Sequence, residues 1–227
     1  ARWYGIDLNI AEGVNTDALG TFTGEIPRAG SMLDAARAKA RLAIEATGHS
    51  IGLGSEGSFG PHPVAFFLSS SLELLVLFDA ENNHEVIVQK RFHTNFDSIT
   101  IREGQEKSSF LKRIGFPDHA VTVRPERGNE GEGIYKAIVD LNQLDVAIHD
   151  AALLSTTGSV IIQTDMRAHL NPTRMKNLEF LTKRLALRAA RLCSVCNAPG
   201  FGFIKAMPGL PCQICNQLTR ITRAELH

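Results

Sequence analysis

Long apolar runs are missing from this chain. The longest, such as Val64–Leu68 and Leu74–Phe78, fall far short of the roughly 20 apolar residues that a membrane-spanning helix needs. No charged-then-apolar leader is visible at the start, so no secretion signal is expected. Internal repeats and low-complexity tracts are absent, which excludes a repeat array. Net charge is absent too, because 24 Lys and Arg balance 24 Asp and Glu. What remains is 227 residues at 44% hydrophobic content. That is enough for one good core and a small appendage, and too apolar for disorder. The chain is therefore expected in the cytoplasm, without a membrane partner.

Cysteine is scarce, and its placement is informative. All four stand near the C-terminal end, as Cys193-Ser-Val-Cys196 and Cys212-Gln-Ile-Cys215, with fifteen residues between the pairs. Each Cys-x-x-Cys turn can point two thiolates at one ion, and two such turns close a tetrahedron. A zinc ribbon over 192–227 is expected, following an α/β domain over 1–191. The competing reading is a pair of disulfides, which a reducing compartment disfavours. Four thiolates leave no open position, so the zinc would be structural. Phe201 and Phe203 have two readings, filling the ribbon's small core or stacking on bases.

The zero net charge hides an uneven distribution. Residues 1–166 carry 14 Lys and Arg against 22 Asp and Glu, net −8, whereas 167–227 carry 10 against 2, net +8. The last third either faces an anionic partner such as nucleic acid or complements the acidic body. Lys205, Arg220 and Arg223 would decorate the ribbon, and Arg188 precedes it.

Helical and strand patterns alternate along the chain, which predicts an α/β fold with a mixed sheet flanked by helices. Arg2-Trp-Tyr-Gly5 reads as a helix end, so a segment upstream of Ala1 is expected. A short strand is expected at Ile6–Ile10. Ser31 and Asp34 form a capping box for a helix that Gly48 stops. Its small-residue face, Ala36, Ala40 and Ala43, predicts close packing on a sheet. Strands are expected at Ile51–Leu53, Val64–Leu68, Leu72–Asp79, Glu85–Arg91, Ser98–Arg102, Ala120–Val123 and Val160–Gln163, with Asn82-Asn83 as a hairpin turn. Further helices are expected at Gln105–Ile114, from Asp140 to about Leu154, and from Asn171-Pro172 to about Leu192. Arg127–Gly133 reads as a charged loop.

Two loops could carry chemistry. Thr164–Arg174 links a buried-looking strand to a helix, at the kind of strand end where ligands gather. Asn171 and Pro172 suit the helix start, whose free N–H groups and partial positive charge favour an anion. Arg167, His169 and Arg174 surround that point, and Asp165 could hold Mg²⁺. The plainer reading pairs Asp165 with a neighbouring arginine. In the second loop, Ser55-Glu56-Gly57-Ser58-Phe59-Gly60-Pro61-His62-Pro63, glycines would let the backbone approach a ligand and Glu56 could bind a metal or activate water. Ser55 and Ser58 are ligand candidates there. His62 is either a ligand contact or a hydrogen-bonded structural residue. Lys39, on the helix with Arg37 and Arg41, could lean towards a ligand or lie in solvent, and the Thr21–Glu25 loop could add contacts.

The segments Gly20–Glu25, Ser55–Pro63, Thr164–His169 and Asn171–Met175, together with the Cys pairs, resemble an uncharacterised bacterial protein family without an assigned activity. A shorter stretch, Ala36-Arg37-Ala38-Lys39-Ala40, a strand, then Ser55-Glu56-Gly57, is similar to the inosine-triphosphatase-like and Maf-like pyrophosphatases. That resemblance implies a phosphate contact for Lys39 and Mg²⁺ or water handling for Glu56. The superfamily's N-terminal Asn-x-x-Lys segment is not found here, and a zinc ribbon is foreign to its ordinary members. The expected function is Mg²⁺-dependent hydrolysis of a nucleoside triphosphate or related phosphorylated compound. The competing function is nucleic-acid binding by the basic last third.

Overall fold

The computed structural model describes residues 8–14, 30–129 and 131–226. The expected strand at Ile6–Ile10 falls partly outside them, and Leu8–Ile10 has no regular structure. The Arg2–Gly5 helix end and the Gly20–Glu25 motif lie outside the described residues.

Helix α1 (Met32–Thr47) begins as the sequence dictates. The Ser31 hydroxyl accepts from the Asp34 N–H, the Asp34 carboxylate accepts from the Ser31 N–H, and Gly48 closes the helix at φ 69°. Three antiparallel strands follow as a meander: β1 (Ile51–Pro61), β2 (Ser69–Asp79) and β3 (His84–His93). Successive side chains on a strand face opposite sides. Gly52, Gly54 and Glu56 face α1, where Ala36, Leu74 and Val76 form a small core. The other face is covered by helix α4 (Pro172–Ala189), whose Leu181 and Leu185 pack on Leu75, Val86 and Val88. One sheet is thus sandwiched between two helices.

The second sheet orders β4 (Ser98–Arg102), β7 (Ser159–Thr164), β5 (Val121–Pro125) and β6 (Tyr135–Ile138), all pairs antiparallel. Helices α2 (Ser108–Ile114) and α3 (Leu141–Leu154) share the larger core with it, around Phe110, Val121, Val123, Leu144, Val160 and Ile162. Asp140 caps α3 by accepting from the Gln143 N–H. The last strands, β8 (Phe203–Pro208) and β9 (Thr222–Leu226), form a hairpin.

The fold therefore mixes α and β, but in two purely antiparallel sheets rather than one mixed sheet. Two further expectations are corrected. The glycine-rich segment Gly54–Pro61 is strand, not turn. Val64–Leu68 is the loop between β1 and β2, not a strand. Its apolar residues imitate a buried strand, but no neighbour pairs with them. The edge strand β6 was not foreseen. It is four residues long and contains Ala137 at φ 63°.

Candidate active site

The glycines of β1 are there for close approach. A Cβ on Gly54 would lie 1.9 Å from the Ala36 carbonyl oxygen, and one on Gly52 would lie 2.1 Å from that of Ala40. With α1 seated this deeply, Lys39 reaches the strand and its ammonium pairs with Glu56, a carboxylate only 7% exposed. Ser58 shares that face of β1 and is exposed, while Ser55 lies on the opposite face, half-buried.

Beside Glu56, on the other side of the sheet, lies Glu73. It is fully buried and is held by Arg174, whose Nε and Nη2 donate to its two oxygens at 3.1 and 3.2 Å. Burial lifts the Glu73 carboxyl above its ordinary pKa. The Arg174 charge opposes this shift, and the nearby Glu56 carboxylate reinforces it. Arg174 also lies over the Phe59 ring at 5.0 Å and donates from Nη1 to the Met166 carbonyl at 2.6 Å. Gly57 makes this possible, since a Cβ there would lie 2.7 Å from Arg174 and 2.8 Å from Glu73. Arg174, in the first turn of α4, therefore meets β1 at Gly57 and Phe59, on the face opposite Glu56.

The loop leaving β7 is organised around Asp165, which is 1% exposed. Arg167 grips it through its Nε, Nη2 and backbone N–H, and the Ala137 N–H adds a fourth donor at 3.3 Å. Burial would raise the Asp165 pKa. The Arg167 side chain and these N–H groups overcome that and hold it below the usual carboxylate range. The ion pairs thus join Lys39 to Glu56 and Asp165 to Arg167. His169 is exposed on a single 3-10 turn, Ala168–Leu170.

Asn171 is fully buried and does the work of a cap. Its Oδ1 accepts from the Arg174 N–H, and its Nδ2 donates to Asn95 Oδ1 and the Asp165 carbonyl. His119 supplies the next cap, with Nε2 accepting from the Thr173 N–H at 3.3 Å and Nδ1 facing the Gly115 carbonyl. Pro172 has no N–H. The start of α4 is therefore filled by the protein's own groups, where the sequence led us to expect an anion seat. His62 is also structural. Its Nδ1 accepts from the N–H groups of Val64 and Ala65 and shapes the β1–β2 loop.

The cysteines form two knuckles of the same build. Cys193 N–H donates to the Ala198 carbonyl and Asn197 N–H to that of Cys193, and Cys212, Gln217 and Asn216 repeat the pattern. Asn197 and Asn216 both sit at φ 60°. The N–H groups of Cys196 and Val195 lower the Cys193 pKa, and those of Cys215 and Ile214 do the same for Cys212. All four cysteines are free in this structure. Among the described residues, no three His, Cys, Asp or Glu side chains are gathered closely enough to hold a metal ion. Arg188 ties the first knuckle to the body, donating to the Gly200 and Ile87 carbonyls at 3.0 Å each.

Sequence reasoning missed Glu73, His119 and Ala137. Only Glu73 had left a signal, as a lone charge in the apolar run Leu72–Phe78.

Among the described residues, fold and site together define a mixed α and β protein of two larger antiparallel sheets and a terminal hairpin, with buried charge pairs on β1, on β2 and in the loop after β7, and paired cysteine knuckles. Residues 39–227 match the family described as a domain of unknown function, DUF6671, and the chain belongs to that family. No curated protein and no solved structure matches it.

Proposed function

We propose that the chain is a Mg²⁺-dependent hydrolase of nucleoside triphosphates or a related phosphorylated compound, with Glu56 and Lys39 at its centre. The observation that carries this reading is their ion pair, seated on a strand whose glycines clear space for it. A buried carboxylate held by a lysine is in a resting state. An incoming phosphate competes for the ammonium and releases the carboxylate. Lys39 then neutralises phosphate charge while Glu56 orients the attacking water or accepts its proton. Arg174, on the other side of the sheet with its donors on Glu73 and the Met166 carbonyl, braces the strand that carries Glu56 rather than meeting the phosphate. Mg²⁺ takes one or two carboxylates and keeps several waters, and Glu56 with Ser58 on the same face offers donors of that kind. When bound, it would draw charge from the phosphate oxygens. Asp165, whose oxygens are taken by Arg167 and the Ala137 N–H, is assigned to bracing the loop after β7.

The test is a panel of nucleotides with the full-length chain and Mg²⁺, read as released phosphate or pyrophosphate. Glu56→Gln is expected to lower kcat at least ~100-fold, the usual scale for an acid–base group. No turnover by the parent chain, or equal turnover by Glu56→Gln, removes the reading.

Zinc belongs to the same proposal as a structural ion, one whose binding would have to draw together two cysteine pairs that, among the described residues, do not form a metal cluster. The two knuckles supply four thiols with N–H donors aimed at Cys193 and Cys212, which favours the thiolates that zinc needs.

The nucleic-acid reading keeps one supporting observation. Lys176, Arg184 and Arg191 are exposed on and just after α4. Arg188 is removed from that set, because its donors are spent on carbonyls. RNA or DNA binding that weakens with salt and with substitution of those three cations would favour it.

A further inference from the structure

The loop between β1 and β2 exposes its apolar residues. Val64 is 84% exposed, Phe66 76%, Phe67 87% and Leu68 43%. Four such residues at one hairpin end exceed the scattered exposure of an ordinary surface. The tip is also ordered. His62 N–H donates to the Leu68 carbonyl, Leu68 N–H donates to that of Ala65, and the His62 ring holds Val64 and Ala65.

The strand segments that flank the tip are one-sided in charge. No Asp or Glu occurs from Gly57 to Leu72, nor from Gln89 to Phe96 on the partnering end of β3. That end carries Lys90, Arg91 and His93. Arg91 is exposed and donates to Ser70 Oγ at 3.0 Å, one residue into β2. Lys90 lies over the Phe180 and Phe92 rings. Asn177 of α4 contacts the His93 carbonyl, which brings the exposed Lys176 to the same end of the sheet.

We infer that this hairpin is a peripheral membrane anchor, which dips Phe66, Phe67, Val64 and Leu68 into an anionic lipid surface while Arg91, Lys90 and Lys176 meet the headgroups. Apolar burial plus attraction to anionic lipid is the combination that drives such contacts. The short apolar runs exclude a spanning helix and leave this mode open. A second copy of the chain fits less well. A two-fold contact would set the same cationic collar against itself, whereas an anionic bilayer complements it.

The test is co-sedimentation of the full-length chain with phosphatidylcholine vesicles, with and without phosphatidylserine. Binding is expected on the anionic vesicles at least ~10-fold above the neutral ones, with release at high salt. Phe66→Ser with Phe67→Ser changes only exposed side chains and leaves the His62 hydrogen bonds in place. This double variant should lose at least ~10-fold of the binding. The inference is overturned if the parent chain ignores both vesicle types, or if the double variant binds equally. It also fails if light scattering finds a parent dimer that the double variant turns into a monomer, since that assigns the tip to a second copy.

Discussion

Glu73 takes a charge into the interior, and its energetics are testable. Its folded pKa lies above the ordinary 4.5, because burial outweighs the help from Arg174. Between those two values the folded chain keeps a proton that the unfolded chain has released. Stability contributed by this group is therefore fully present below 4.5 and falls as pH rises through the folded value. Glu73→Gln should remove that slope, measured as the difference in denaturant unfolding between parent and variant over about pH 4 to 7. Equal slopes would show that Arg174 compensates the charge in full. At this scale the sequence was half legible. Lys39, Glu56, Asp165 and Arg174 were all marked by residue type. The plainer reading already pairs Asp165 with a neighbouring arginine, which is Arg167, but the other partners were not marked. That Arg174 would choose Glu73, 101 positions away, depends on the register of β1 on β2, which no local pattern encodes.

The elements were read well where local chemistry decides them. The Ser31 capping box, the Asp140 and Asn171 caps and the Gly48 stop all lie where the side chains said they would. They failed at β1, because glycine, serine and proline usually mark turns, and here the glycines serve the helix above. Gly54→Ala is the sharpest test. Its new methyl group would press on the backbone of α1 rather than on a flexible side chain. Overpacking of this kind should cost about 3 kcal/mol, seen as a lower unfolding midpoint. Gly60→Ala, with no atom near the added methyl group, is the matched control and should cost no more than about 1 kcal/mol. A similar loss in both would mean that strand flexibility, not contact with α1, is what the glycines supply.

For the whole molecule, the alternation of helical and strand patterns gave a mixed α and β fold, and cysteine spacing marked the C-terminal hairpins. Composition could not divide the strands between two sheets, since that division rests on long-range pairing such as β4 with β7. Metal is the test at this scale. Chain prepared with zinc should retain about one ion per four thiols, and chelation should lower its thermal midpoint. A chain that holds no zinc and melts identically with chelator would leave the knuckles as plain hairpins. Arg188→Ala should loosen the knuckle from β3, read as faster amide exchange at Ile87 and Gly200 than in the parent. Helix α4 links the buried Glu73 to the first cysteine knuckle. From Arg174 to Arg188, α4 is a rigid rod about 21 Å long, with the buried glutamate at one end and the cysteine knuckle at the other. If occupancy of the charged cluster turned or slid this rod, it would be thermodynamically linked to occupancy of the thiols. That linkage is reciprocal, with each occupant altering the other's affinity by the same factor.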